Sequence, residues 1–155
     1  KVIDMMQLKF AIKLAFEHDN HIMFEEFIDG TEVSCGVYYN NAVTSLPVTE
    51  IVTDNEFFDY EAKYEGKSNE ITPARIDKKI YSKIKNLTEK IYSELNLKGI
   101  CRVDYIIKNN LPYIIEINTV PGLSNESIIP KQLKCMNISL SEIFKISIEN
   151  ATFNE

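Results

Sequence analysis

No segment of this chain is apolar for long enough to cross a membrane. Nothing approaches the roughly 18–20 residues that a spanning helix requires, and no signal-peptide pattern opens the sequence. Clusters of basic residues are missing as well. Lys and Arg are scattered and the formal net charge is −6, which argues against a nucleic-acid partner. Cysteine is sparse and odd in number: Cys35, Cys101 and Cys135 lie far apart, without a Cys-x-x-Cys pair. That argues against a disulfide framework or a zinc site and predicts reduced thiols in a cytoplasmic protein. Gly-x-Ser-x-Gly, His-Glu-x-x-His and Walker-type glycine-rich strings are absent too. Ser-nucleophile hydrolysis, zinc proteolysis and P-loop chemistry therefore gain no support. His18 and His21 have no evident partner and are expected at the surface. No initiator methionine precedes Lys1, so a fragment of a longer protein is expected.

What is present is an ordinary globular balance. With 155 residues, 45% hydrophobic and 26% charged, the chain suits a single domain over residues 1–155 with a real core. Asp4 can cap a helix over 5–18, with Leu8, Ile12, Ala15 and Phe16 on its apolar stripe. Strand patterns follow at 22–28, 33–39, 43–46 and 48–52, with turn signals at Asp29-Gly30 and Asn40-Asn41. Residues 54–75 carry no helical period and read as a strand end and long loop, a length that is usually functional or disordered. Ile80, Ile84, Leu87, Ile91 and Leu95 mark a helix over 77–95, with Gly99 as its expected terminator. Ser139-x-x-Glu142 is a capping box opening a last helix, with Leu140, Ile143 and Phe144 inward. This order of elements predicts an α+β fold, an antiparallel sheet with flanking helices.

The densest chemistry lies between. In 100–107 the polar residues are Arg102 and Asp104; in 112–118 they are Glu116 and Asn118. Alternate residues of a strand share a face, so each pair points one way. Asn109-Asn110 is a turn signal because Asn tolerates positive φ. A three-residue loop, Asn109 to Leu111, sets Asp104 opposite Glu116 and Arg102 opposite Asn118. A two-residue loop sends the two sets to opposite faces. Two carboxylates and a carboxamide are hard oxygen donors suited to Mg²⁺. The same alternation also describes a hairpin with one wet face. Turn formers from Thr119 to Ser127 then lead off the strand end, where ligands are commonly held.

Two further strings are double-edged. The run from Phe57 to Tyr64 offers Lys63 as a mobile charge for phosphates and Tyr64 as a donor, or is a solvated charged loop. Glu25 to Glu32 offers backbone groups for a purine edge, Phe27 and Ile28 for its face and Glu32 for a ribose, or is a strand ending in an acidic turn.

Four strings in order make a pattern. These are Glu25-Glu26-Phe27-Ile28-Asp29-Gly30-Thr31-Glu32, Phe58-Asp59-Tyr60-Glu61-Ala62-Lys63-Tyr64, Gly99-Ile100-Cys101-Arg102-Val103-Asp104 and Glu116-Ile117-Asn118-Thr119-Val120-Pro121-Gly122. The chain resembles the C-terminal ATP-grasp portion of the D-alanine–D-alanine ligases over nearly its whole length. By resemblance, Asp104, Glu116 and Asn118 look like ligands of two Mg²⁺ ions, with Mn²⁺ as a substitute, and Glu116 as the bridge. Arg102 and the Gly122 N–H look like oxyanion donors. Ser127 and Ile128 look like contacts to the carboxylate of a second D-alanine. Glu25, Glu26, Phe27, Ile28 and Glu32 resemble the ATP adenosine pocket, walled by Phe57 and Ile115, and Lys63 and Tyr64 resemble its lid. The implied activity joins two D-alanines for peptidoglycan precursors. The alternatives are a D-lactate or D-serine acceptor, or a non-catalytic binding domain. The family's N-terminal domain and glycine-rich ATP loop are not in this sequence. The full-length parent is expected to be a cytoplasmic homodimer with no membrane or nucleic-acid partner.

Overall fold

The computed structural model describes residues 1–53 and 68–152. Alternation in the strands decides the architecture. Residues Val33, Cys35 and Val37 of β1 (Thr31–Asn40) and Cys101, Val103 and Tyr105 of β5 (Cys101–Lys108) are all buried on one side of a sheet. The central pair is antiparallel, with Ser34 opposite Asp104 and Gly36 opposite Arg102. On its outer side β1 forks. Its first half pairs with β3 (Thr49–Thr53), which pairs in turn with the short edge strand β4 (Ser68–Ile71). Its second half pairs with β2 (Ala42–Ser45) across a turn held by Asn41 at φ 57°. β6 (Leu111–Asn118) completes the order β4-β3-β1-β5-β6. This is the antiparallel sheet with flanking helices that the strand and helix patterns predicted.

One face of the sheet is covered by α2 (Lys78–Glu94), whose Ile80 and Ile84 pack on Val33, Cys35, Val48, Val103 and Tyr105. Asp77 caps it by accepting from the Lys79 and Ile80 N–H groups. Its stop is Asn96 at φ 49°, not Gly99, because Asn96 already takes the left-handed turn just past the helix end. Burial pushes the Cys35 thiol up to about 12, so it is inert packing rather than a nucleophile. Among the described residues, helices cover the other face at one end. There α3 (Ile128–Cys135) and α4 (Leu140–Thr152) pack Ile129, Leu133 and Ile143 against Tyr38 and Leu46. The capping box forms as expected: the Ser139 N–H and hydroxyl donate to Glu142, whose N–H donates back to Ser139 Oγ. None of the described helices is long and apolar enough to cross a membrane.

Several expectations change. Residues 22–28 form no strand, and none of the described strands pairs with them. The long loop is shorter at its end, because β4 occupies Ser68–Ile71. α1 (Met5–Ala15) is capped by Asp4 as predicted, yet it buries no residue and Phe16 is exposed. In α4, Phe144 is half exposed while Ile143 takes the core position. Helix α3 was hidden behind the turn-forming run that precedes it.

Candidate functional site

The β5–β6 turn is a two-residue one: Lys108 pairs with Leu111, and Asn109 and Asn110 sit at φ 53° and 60°. Positive φ at both central residues is the twist-matched hairpin turn that Asn favours. Of the two loop lengths the sequence left open, this is the one for which alternation alone sends Glu116 and Asp104 to opposite faces. The register instead shifts between Asp104 and Tyr105. Tyr105 pairs with Ile114, but Asp104 pairs with Glu116. Ile115 is therefore the extra residue of a β-bulge, and it moves everything beyond it to the other parity. Arg102 faces Asn118 and Asp104 faces Glu116. Ile114 and Ile115, adjacent in sequence, are both exposed.

On this face a row of side chains crosses four strands: Thr49, Ser34, Asp104 and Glu116. Asp104 is the most constrained of them. Arg102 Nε donates to its Oδ1 at 2.8 Å and Nη2 to its Oδ2 at 2.7 Å, while Ser34 Oγ donates to Oδ1. The same Nη2 lies 3.8 Å from Glu116 Oε1. Side-chain exposure is 11% for Arg102, 9% for Asp104 and 54% for Glu116, so the pair is sunk in the sheet and Glu116 stands at its rim. Burial works against the Arg102 charge. The bond to Asp104 and the negative charges of Asp104, Glu116 and Glu70 outweigh it and push the guanidinium's pKa up. Arg102 is a fixed cation set among the oxygens of Ser34, Asp104 and Glu116. Lys131 Nζ binds Glu70 at 2.8 Å beside it.

Asn118 Oδ1 accepts from the Val120 N–H at 3.1 Å, which turns the chain off the sheet. The loop then passes Gly122, where a Cβ would lie 2.8 Å from Ser127 Oγ. Ser127 Oγ meets Ser124 Oγ at 2.8 Å rather than capping α3, so this hydroxyl does not satisfy the first N–H groups of that helix. Such a helix start favours anions. Ile128 has its side chain buried in the core, so only its backbone is available here. The expected adenosine residues are more dispersed. Glu25 and Glu26 are exposed in the irregular segment before β1. Phe27 lies under Lys1 Nζ at 4.3 Å, Ile28 is half buried, and Glu32 lies in β1 opposite Ile106. Phe57, Lys63 and Tyr64 fall outside the described residues. A concavity of about 790 Å³ between α2 and α4, bordered by Tyr39, Tyr92 and Asn150, is away from this face.

Sequence reasoning missed Ser34, Gln132, Glu70 and Lys131. Only Ser34 left a signal, sharing the parity of Glu32 against the apolar Val33, Cys35 and Val37.

Residues 1–149 match the family described as D-ala D-ala ligase C-terminus. The D-alanine–D-alanine ligase of Flavobacterium johnsoniae is 51% identical over 150 residues, covering 96% of this chain and 46% of that protein. That of Christiangramia forsetii is 49% identical over 142 residues, covering 91% and 44%. Among solved structures, the Bacillus anthracis D-alanine–D-alanine ligase complexed with ATP superposes with a TM-score of 0.80 at 28% identity, covering 97% of this chain and 49% of that one. The VanG D-Ala:D-Ser ligase of Enterococcus faecalis gives 0.80 at 35% identity, covering 96% and 44%. The chain spans less than half the length of these two curated relatives.

Proposed function

The chain belongs to the D-alanine–D-alanine ligase C-terminal family, and from that premise we propose that it is the ATP- and Mg²⁺-binding half of an ATP-dependent ligase joining two D-alanines. The observation that carries this is the bulge at Ile115, which brings Arg102, Asp104, Glu116 and Asn118 onto one face. The donor chemistry fits the metal. Asp104 and Glu116 are cross-strand neighbours, Asn118 lies two residues beyond on the same face, and all three offer hard oxygens. When bound there, Mg²⁺ neutralises charge on the phosphoryl oxygens of the nucleotide.

The terminal phosphoryl of ATP passes to a carboxylate oxygen of the first D-alanine, leaving ADP and an acyl phosphate. The amine of the second D-alanine attacks the acyl carbon, loses a proton, and phosphate departs as the amide forms. Arg102 and the Gly122 N–H offset charge on the oxyanion. Ser127 and the Ile128 N–H, at the start of α3, hold the second D-alanine's carboxylate. Glu25, Glu26, Phe27, Ile28 and Glu32 take the adenosine, with Phe57 and Ile115 as walls and Lys63 and Tyr64 as the lid. The first D-alanine site and a glycine-rich ATP loop belong to the remainder of the protein. This chain alone carries little or no ligase activity.

In the full-length protein, phosphate release from Mg-ATP is expected to depend on D-alanine, and Arg102→Ala to lower kcat by about 10²–10³-fold. Release that ignores D-alanine would overturn the reading. A D-Ala:D-Ser ligase is among the similar solved structures, so D-serine is an alternative acceptor to test. An acceptor screen with D-alanine, D-serine and D-lactate decides, with D-alanine expected to be preferred.

A further inference from the structure

Gln132 and Ser34 are the two fully buried polar side chains that connect α3 to the Arg102–Asp104 pair. Their positions follow from the fork in β1. Glu32 to Ser34 pair with β3 and Val37 to Asn40 pair with β2, so the Gly36 N–H lies where one ladder has ended and the next has not begun. Gln132 fills that gap: its Oε1 accepts from the Gly36 N–H at 3.1 Å. Its Nε2 donates to the Ser34 carbonyl at 3.0 Å and to Thr49 Oγ1 at 3.1 Å. Position 36 must be glycine for this approach, since a Cβ would lie 2.6 Å from both Gln132 Oε1 and Ile129 Cδ1. One amide thus joins two strands to the helix whose first residues are Ile128 and Ile129.

Ser34, held at its carbonyl by Gln132, donates its hydroxyl to Asp104 Oδ1. The two oxygens of Asp104 are therefore unequal. Oδ1 accepts from Ser34 and from Arg102 Nε, whereas Oδ2, among the described residues, accepts only from the Arg102 Nη2 that also leans toward Glu116. We propose that Ser34, braced by Gln132, is a positioning residue that pins Oδ1 of Asp104 so that Oδ2 is presented on the Glu116 side to a divalent cation. The inference rests on the metal-binding role proposed above for Asp104 and deepens it. The physical reason is general: a carboxylate ligand whose non-ligating oxygen is held by a hydrogen bond is already oriented before the metal arrives. Because Gln132 belongs to α3, the same brace sets the height of the metal ligand relative to the Ser127 end of that helix.

The test titrates Mn²⁺ into the full-length protein, following free Mn²⁺ by electron paramagnetic resonance, with no turnover involved. Ser34→Ala and the near-isosteric Ser34→Cys are each expected to weaken Mn²⁺ binding by about 10-fold, within the usual range for a lost outer hydrogen bond. Ser34→Thr, which keeps the hydroxyl, is expected to restore binding to within about threefold of the parent. Circular dichroism and thermal melts identify any variant that does not fold, and the Cys and Thr variants carry the test if Ala fails. Parent-like affinity in folded Ser34→Ala or Ser34→Cys, or no recovery in Ser34→Thr, overturns the positioning role. Asp104→Ala separates the two claims. If it binds Mn²⁺ as the parent does, the metal-site reading itself is wrong; if it loses binding while Ser34→Ala does not, only the role of Ser34 falls.

Discussion

The two faces of one sheet are built from alternate residues of the same strands and behave as opposites. On the α2 face Val33, Val103 and Tyr105 share an apolar cluster with Ile80 and Ile84, and Ile117 packs against it. One position along each strand, Ser34, Asp104 and Glu116 form a polar row in which each contact has a specified partner. Apolar burial is non-directional and shared among neighbours, so the first face tolerates adjustment. Buried polar groups depend on particular atoms, and losing one strands its partner. The first face holds the sheet together; the second spends that stability on holding charge.

The sharpest way to break the comparison is Asp104→Ala. It leaves the Arg102 guanidinium buried without its carboxylate, so about 3–5 kcal/mol of stability should be lost along with Mn²⁺ binding, measured by chemical denaturation and titration. Ile84→Ala on the opposite face should cost about 2–5 kcal/mol by cavity formation. Mn²⁺ affinity measured where that variant is folded should not change. A fall in affinity there would show that the faces are not independent.

A smaller effect concerns Glu50, which lies on the α2 side of β3 and is bonded by Arg75 Nε and Nη2 at 2.9 and 3.0 Å. The Arg75 bond outweighs burial and holds the Glu50 pKa below its usual value. A depressed folded-state pKa adds stability above the unfolded value, and that increment is lost as pH falls through the folded one. Glu50→Gln should therefore narrow the stability difference between neutral and acid pH. The change should be at most about 1 kcal/mol, because Arg75 is largely in water. Pairs of melts at neutral and acidic pH would check the sign. Asn110→Gly should change least, by a few tenths of a kcal/mol and in the stabilising direction, since glycine takes the positive φ of this turn more readily.

Legibility differed between the faces as well. The α2 face was readable because Ile80, Ile84, Leu87 and Ile91 repeat at helical spacing and the strands alternate. The polar pairs Arg102/Asp104 and Glu116/Asn118 were readable by the same parity. The step that joins them was not. Ile114 and Ile115 are identical side chains, so no pattern says which one is the extra residue of the bulge. The pairing that alternation allowed only with a three-residue turn is reached instead with a two-residue turn and a bulge. Gln132 was invisible, because a polar residue in the middle of a short helix looks like surface until the strand fork beneath it is known. The Ile22–Ile28 pattern misled in the other direction: a strand exists only where another backbone accepts its hydrogen bonds.

By itself, the sequence determined the α+β class, the capped helices and which polar side chains share a strand face. All of these follow from local periodicity and capping chemistry. Tertiary structure alone decided that the two polar pairs meet, through a bulge chosen by pairing rather than by residue type. It also placed Ser34 and Gln132 beneath them, because hydrogen bonds between residues 98 positions apart belong to the fold and not to any segment of it.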